Sequence, residues 1–206
     1  MIPYGTFTFF LIAFIVLIPV IILGFLGKRS YIYNGISTAI MIVIIFASDK
    51  HNLLGQKYLS AQLFCFIIYV IWQVALIMYY YQSRQRKNTF TKFVTIMVLS
   101  ILPLAIVKIL QSSWLGGHQI HFHESKLIEF VGFLGISYVT FKSVQLIMEI
   151  RDGSIKEIKV GKLIQFISFF PTISSGPIDR YKRFVKDDKK VPSGAEYREL
   201  VIKAIH

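Results

Sequence analysis

Three long runs without a charged side chain, 1–27, 30–48 and 58–83, constrain this chain more than any other feature. A hydrocarbon core of roughly 30 Å needs about 20 apolar residues per helical span. In lipid the backbone must satisfy its own hydrogen bonds, so such runs fold as helices. With 54% hydrophobic and 17% charged residues among 206, water is not the main solvent of this protein. The class that follows is an all-α polytopic membrane protein, a single membrane domain over 1–206. A soluble enzyme, a nucleic-acid-binding domain and a disulfide-stapled secreted module are excluded, the last also because Cys65 is the only cysteine. The first run lacks a basic n-region and a small-x-small cleavage site, so it reads as a retained span rather than a signal peptide.

About five transmembrane helices are expected, at 6–26, 31–47, 59–81, 93–110 and 130–150. Between them Lys and Arg are heavier on alternate loops: Lys28 and Arg29; Arg84, Arg86, Lys87 and Lys92; Arg151, Lys156, Lys159 and Lys162. The positive-inside rule then predicts a multi-pass plasma-membrane protein with its N-terminus outside. A sixth apolar stretch, 163–178, is short and interrupted by Pro171, Gly176 and Pro177, and both of its flanks are basic. This pattern predicts a re-entrant element that enters and leaves on the cytoplasmic side; a short tilted span is the other reading. Ser193 and Glu196 then form a capping-box pattern. Behind it, Tyr197, Leu200, Val201, Ala204 and Ile205 make the apolar side of an amphipathic C-terminal helix suited to a membrane interface. That pattern is still running at His206, so the sequence reads as the front part of a longer protein.

The fifth span has aligned polar residues. Tyr138, Lys142, Gln145 and Glu149 fall within an arc of about 60° on a helix. An ionisable group near mid-membrane costs at least roughly 2.5–3.5 kcal/mol on insertion scales, so Lys142 is expected to face protein or a wet cavity. The stripe is either the wall of a substrate passage or a hydrogen-bonded seam between helices. His118, His121, His123 and Glu124 have spacings that metals can use, but the ligand set is incomplete and the segment reads as a solvated loop, so no metal site is expected. The net charge of +12 gathers on the expected inner face, densest from 180 to 190. It suits anionic membrane lipids, or an acidic protein partner.

Two stretches carry a resemblance: Phe-Leu-Gly-Ile-Ser-Tyr-Val-Thr-Phe-Lys-Ser-Val-Gln at 133–145, and Gln-Phe-Ile-Ser-Phe-Phe-Pro-Thr-Ile-Ser-Ser-Gly-Pro-Ile-Asp-Arg-Tyr at 165–181. The chain resembles the membrane-bound O-acyltransferase family, specifically its D-alanyl-transferring members in Gram-positive bacteria, and matches as their N-terminal part. The resemblance implies that D-alanine arrives as a thioester on the phosphopantetheine arm of a D-alanyl carrier protein at the cytoplasmic face and leaves on lipoteichoic acid hydroxyls. It places the catalytic histidine beyond residue 206, so no catalytic residue and no bound cofactor are expected in this chain. Ser137, Lys142 and Gln145 match the first motif, and Pro171, Gly176, Pro177, Asp179 and Arg180 the second. These, with Tyr138 and Glu149, are the passage or support candidates. A transporter or channel subunit, or a non-catalytic membrane adaptor, is the alternative from another class.

Overall fold

The computed structural model describes residues 7–28, 31–47, 57–86, 89–111, 135–172, 179–189 and 192–205. In chain order they form α1 (Phe7–Phe25), α2 (Tyr31–Ala47), α3 (Lys57–Arg86), α4 (Phe90–Gln111), α5 (Ile136–Arg151) and α6 (Val160–Ser168), a 3-10 turn (Phe170–Thr172), α7 (Tyr181–Lys189) and α8 (Gly194–Ile205). No strand occurs among the described residues. Each expected span coincides with a helix, although the fifth is described only from Ile136. Helix α3 runs five residues past its expected end at Tyr81, because Gln82–Arg86 contains good helix formers and ends with Arg84 and Arg86 against the negative end of the helix dipole. Two stretches, Gln62–Arg86 and Phe90–Ile109, are long and apolar enough to cross a membrane. Less than half of the most apolar part of either stretch is buried. The apolar helical stretches of α1 and α2, Phe10–Phe25 and Ile32–Ile45, are shorter.

The chain divides into two compact units, 1–53 with 183–206, and 54–182. In the first, α1 packs against α2 and α8. The capping box forms: the Ser193 backbone N–H donates to Glu196 Oε2 at 3.1 Å and the Glu196 N–H to Ser193 Oγ at 3.4 Å. The Tyr197 ring meets Phe25 edge to face at 5.1 Å and lies over Gly24, where a Cβ would stand 2.4 Å from it. Glycine at 24 leaves room for the Tyr197 ring in the α1–α8 contact, and a side chain there would have to displace that ring. Leu200, on the expected apolar side of α8, remains 54% exposed.

In the second unit α3, α4 and α5 pack on one another, and α6 lies against α3 and α5. A buried polar chain joins the first three. Gln73 Nε2 donates to Tyr69 Oη at 2.8 Å and to the Ser100 carbonyl at 3.0 Å, Ser100 Oγ donates to Gln73 Oε1 at 2.8 Å, and the Tyr69 and Thr140 hydroxyls are 2.6 Å apart. In apolar surroundings such bonds tie helices where hydrophobic contact with lipid-like neighbours gives little preference. Helix α5 closes with a Schellman turn, Gly153 N–H to the Ile150 carbonyl at 3.1 Å and Ser154 N–H to the Glu149 carbonyl at 3.0 Å. The φ of +75° at Gly153 is the left-handed conformation such a cap needs.

Gly24→Ala is expected to push Tyr197 off α1 and destabilise the protein by about 1–3 kcal/mol. Thermal unfolding in detergent checks this, and Gly24→Ala with Tyr197→Ala should recover part of the loss by removing the clash.

Candidate functional site

Pro171 organises the site from the backbone upward. It has no N–H to donate and its ring conflicts with the carbonyl four residues back, which disfavours a helix through it, although α1 and α4 do run through Pro19 and Pro103. Helix α6 accordingly stops at Ser168, and Phe169 leaves helical geometry at φ −56°, ψ 110°. The Phe-Phe-Pro-Thr string then makes the 3-10 turn, closed by the Thr172 N–H on the Phe169 carbonyl at 3.1 Å and by Thr172 Oγ1 on the same carbonyl at 3.2 Å. A helix ending inside protein leaves carbonyls without intrahelical donors.

Lys142 answers that need from α5. It is 1% exposed, and its Nζ donates to the Phe166 carbonyl at 3.2 Å and to Thr172 Oγ1 at 2.6 Å. The ammonium also stands 5.6 Å from the centre of the Phe166 ring. Buried charge is tolerated where acceptors replace water, and the C-terminal end of a helix favours a cation. One side chain thus joins the two motif stretches, 133–145 and 165–181.

The rest of the stripe lies along the same helix. Ser137, Tyr138, Gln145 and Glu149 are half-buried. Gln145 Oε1 and Glu149 Oε2 are buried without a hydrogen-bond partner, as is Gln165 Oε1 on α6. Glu149 receives the Lys182 backbone N–H and feels the charges of Arg180, Lys182 and Asp179. The Asp179 carboxylate, whose Oδ1 accepts the Arg180 N–H at 2.8 Å, also acts electrostatically on Lys142. Tyr181, 3% exposed, meets the Phe166 ring edge to face at 5.5 Å. Burial pushes its phenol above the ordinary value of 10.0, opposed by the Lys159 backbone N–H.

Lys142, Pro171, Asp179 and the Gln145–Glu149 face are therefore neighbours through α5, α6 and the turn, with Arg180 exposed beside them. Gly176 and Pro177 lie outside the described residues, as do His118, His121, His123, Glu124 and His206. Among the described residues no group of three or more His, Cys, Asp or Glu could hold a metal ion. What the described residues of the site offer is hydrogen-bond acceptors, among them the Gln145 and Gln165 amide oxygens and the Glu149 carboxylate, beside the turn. Phe166 and Thr172 stand in the second motif yet are missed as partners of Lys142, because spacing along one helix does not show which residue a second helix brings to it. The Tyr69–Gln73–Ser100–Thr140 chain is also missed; an amide in the middle of an apolar run, Gln73, is the signal that would have found it.

Among the described residues, an all-helical assembly with two apolar helices of membrane length and a lysine-locked proline turn is the class that these features define. No family model matches the chain. It is similar to teichoic acid D-alanyltransferase of Bacillus subtilis (strain 168), 45% identical over 207 residues, covering 100% of this chain and 49% of that protein. It is also similar to teichoic acid D-alanyltransferase of Lacticaseibacillus rhamnosus, 42% identical over 99% of this chain and 46% of the relative. A third protein of that name, from Streptococcus thermophilus, is 32% identical over 98% of this chain and 44% of its own length. The chain spans about half the length of the curated relatives it matches.

Lys142→Met is expected to leave the Phe166 carbonyl and Thr172 hydroxyl without their donor and to cost about 1–3 kcal/mol. Hydrogen exchange across 166–172 should accelerate, and Thr172→Val should reproduce a smaller part of that change. A phenol held above its ordinary value stays protonated in the folded state where the unfolded chain has begun to ionise. The stability that Tyr181 contributes is thus complete below about pH 10 and falls as pH rises beyond it. Denaturant titrations between pH 8 and about pH 11 should show a steeper alkaline loss for the natural protein than for Tyr181→Phe.

Proposed function

We propose that this chain is the N-terminal part of a membrane-bound O-acyltransferase that moves D-alanine from a carrier-protein thioester to lipoteichoic acid hydroxyls. The supporting observation is similarity along almost the whole chain to three proteins named teichoic acid D-alanyltransferase. It is joined by the Lys142 bonds that hold together the two stretches carrying the family resemblance. In this reading the 206 residues belong to one multi-pass plasma-membrane domain, with five spans, an external N-terminus and a re-entrant element around Pro171, Gly176 and Pro177.

The reaction sets the division of labour. The acceptor hydroxyl oxygen bonds to the thioester carbonyl carbon, the C–S bond breaks, and the hydroxyl proton passes through a general base to the departing thiolate. The base is the histidine expected beyond residue 206. The residues in hand support the passage: Lys142 fixes the Pro171 turn, and Gln145, Glu149 and Gln165 present acceptors to the amide and ammonium N–H groups of an aminoacyl-pantetheine arm. Asp179 and Arg180 follow the turn at the cytoplasmic mouth, where a carrier protein docks. The carrier brings the phosphopantetheine; this chain binds no cofactor of its own.

The test uses the complete protein in vesicles, supplied with labelled D-alanyl carrier and acceptor polymer. Lys142→Met should slow label transfer by about ten- to a hundredfold through misplacement of the turn, whereas exchange of the exposed Lys108 for Gln should not. Solute uptake without acylation would overturn the proposal in favour of a transporter, and carrier binding with neither would favour an adaptor.

A further inference from the structure

At the C-terminal ends of α3 and α5, Arg84 stands without compensation. Its Nε is buried with no acceptor, and it makes no hydrogen bond or ion pair among the described residues. The hydroxyl of Tyr80, one turn earlier on α3 and 2% exposed, is likewise buried and unpartnered. The charges of Arg84, Arg151 and Asp152 all reach that hydroxyl. Asp152 is already paired with Arg151 at 3.0 Å, and the Arg151 guanidinium is fixed 4.7 Å from the centre of the Phe93 ring. Next to Arg84, Ser83 binds a further cation, Lys92, at 2.9 Å.

Gly153 makes room for the Arg84 guanidinium. Its Cα carries no side chain, and a Cβ there would lie 3.0 Å from an Arg84 terminal nitrogen. The guanidinium therefore rests against the Schellman turn of α5, where glycine is already needed for its positive φ. Three cations with one committed carboxylate, an arginine fork with free donors and a buried phenol define an acceptor-rich anion as the missing partner. A phosphodiester fits the planar fork better than a point-like ion does. Tyr79, next to Tyr80 on α3, is 59% exposed, and tyrosine is a residue that sits at headgroup level in membranes.

We propose that Arg84, Tyr80 and Arg151 form a binding site for a phosphodiester, the headgroup of an anionic lipid in the leaflet that the Lys/Arg distribution assigns to the cytoplasm. It does not depend on the acyl-transfer reading. The test is native mass spectrometry of the complete protein in detergent, titrated with deuterated phosphatidylglycerol, with phosphatidylcholine and with inorganic phosphate. Arg84→Gln should weaken retention of phosphatidylglycerol by about tenfold, the loss of one charge-assisted contact, and Tyr80→Phe by a smaller factor. The exposed Arg86→Gln should retain it as the natural protein does. Equal retention by Arg84→Gln and the natural protein overturns the site, and so does equal loss from Arg86→Gln, which would reduce it to general surface charge. Should Arg84→Gln fail to give a monodisperse protein, Tyr80→Phe decides: unaltered retention overturns the proposal. Displacement of the lipid by millimolar inorganic phosphate would support the phosphate chemistry and assign its source to a soluble ester instead of a lipid.

Discussion

The second unit depends on how a positive charge is kept out of water. Lys142 is as buried as the aliphatic residues around it, and its cost is met by a backbone carbonyl, a threonine hydroxyl and an aromatic face. The carbonyl belongs to a helix that a proline has stopped, so the proline creates the vacancy and the lysine fills it. Neither residue makes structural sense alone. Remove the proline and α6 could satisfy its own carbonyls; remove the ammonium and two acceptors are stranded in an apolar setting, where an unmade bond costs most.

The same economy of polar groups governs the other helix contacts. Gln73 uses both ends of its amide, tying α3 to α4 through Ser100, while Tyr69 carries the chain on to α5 through Thr140. Between apolar helices these directional bonds specify neighbours that van der Waals packing alone leaves less distinct. Against this satisfied background, the unpaired acceptors of Gln145, Glu149 and Gln165 and the unpaired donors of Arg84 and Tyr80 stand apart. The first group is acceptor-rich and the second cationic, so they suit ligands of opposite character.

Much of the helical layout was legible because each helix is a local, apolar, charge-free run. The first four helices lie where the runs predict them, and the Ser193–Glu196 cap forms as its four-residue pattern predicts. Burial of Lys142 was legible too, since the cost of exposing an ammonium to lipid depends on chemistry and not on partners. The identities of Phe166 and Thr172 as its acceptors were not, because they lie 24 and 30 residues away along the chain. Along the stripe, Lys142 is bonded between helices, whereas Gln145 Oε1 and Glu149 Oε2 are buried without a hydrogen-bond partner.

Sequence alone determined the helical class and the expected membrane setting, because hydrophobic run length and charge act within a few residues of where they are written. Tertiary structure decided which carbonyl receives Lys142, which helices Gln73 joins, and that Arg84 is left without an acceptor. Those outcomes depend on which side chains separate helices bring within hydrogen-bonding distance, and a bond of about 3 Å has no signature in the spacing of residues along one chain.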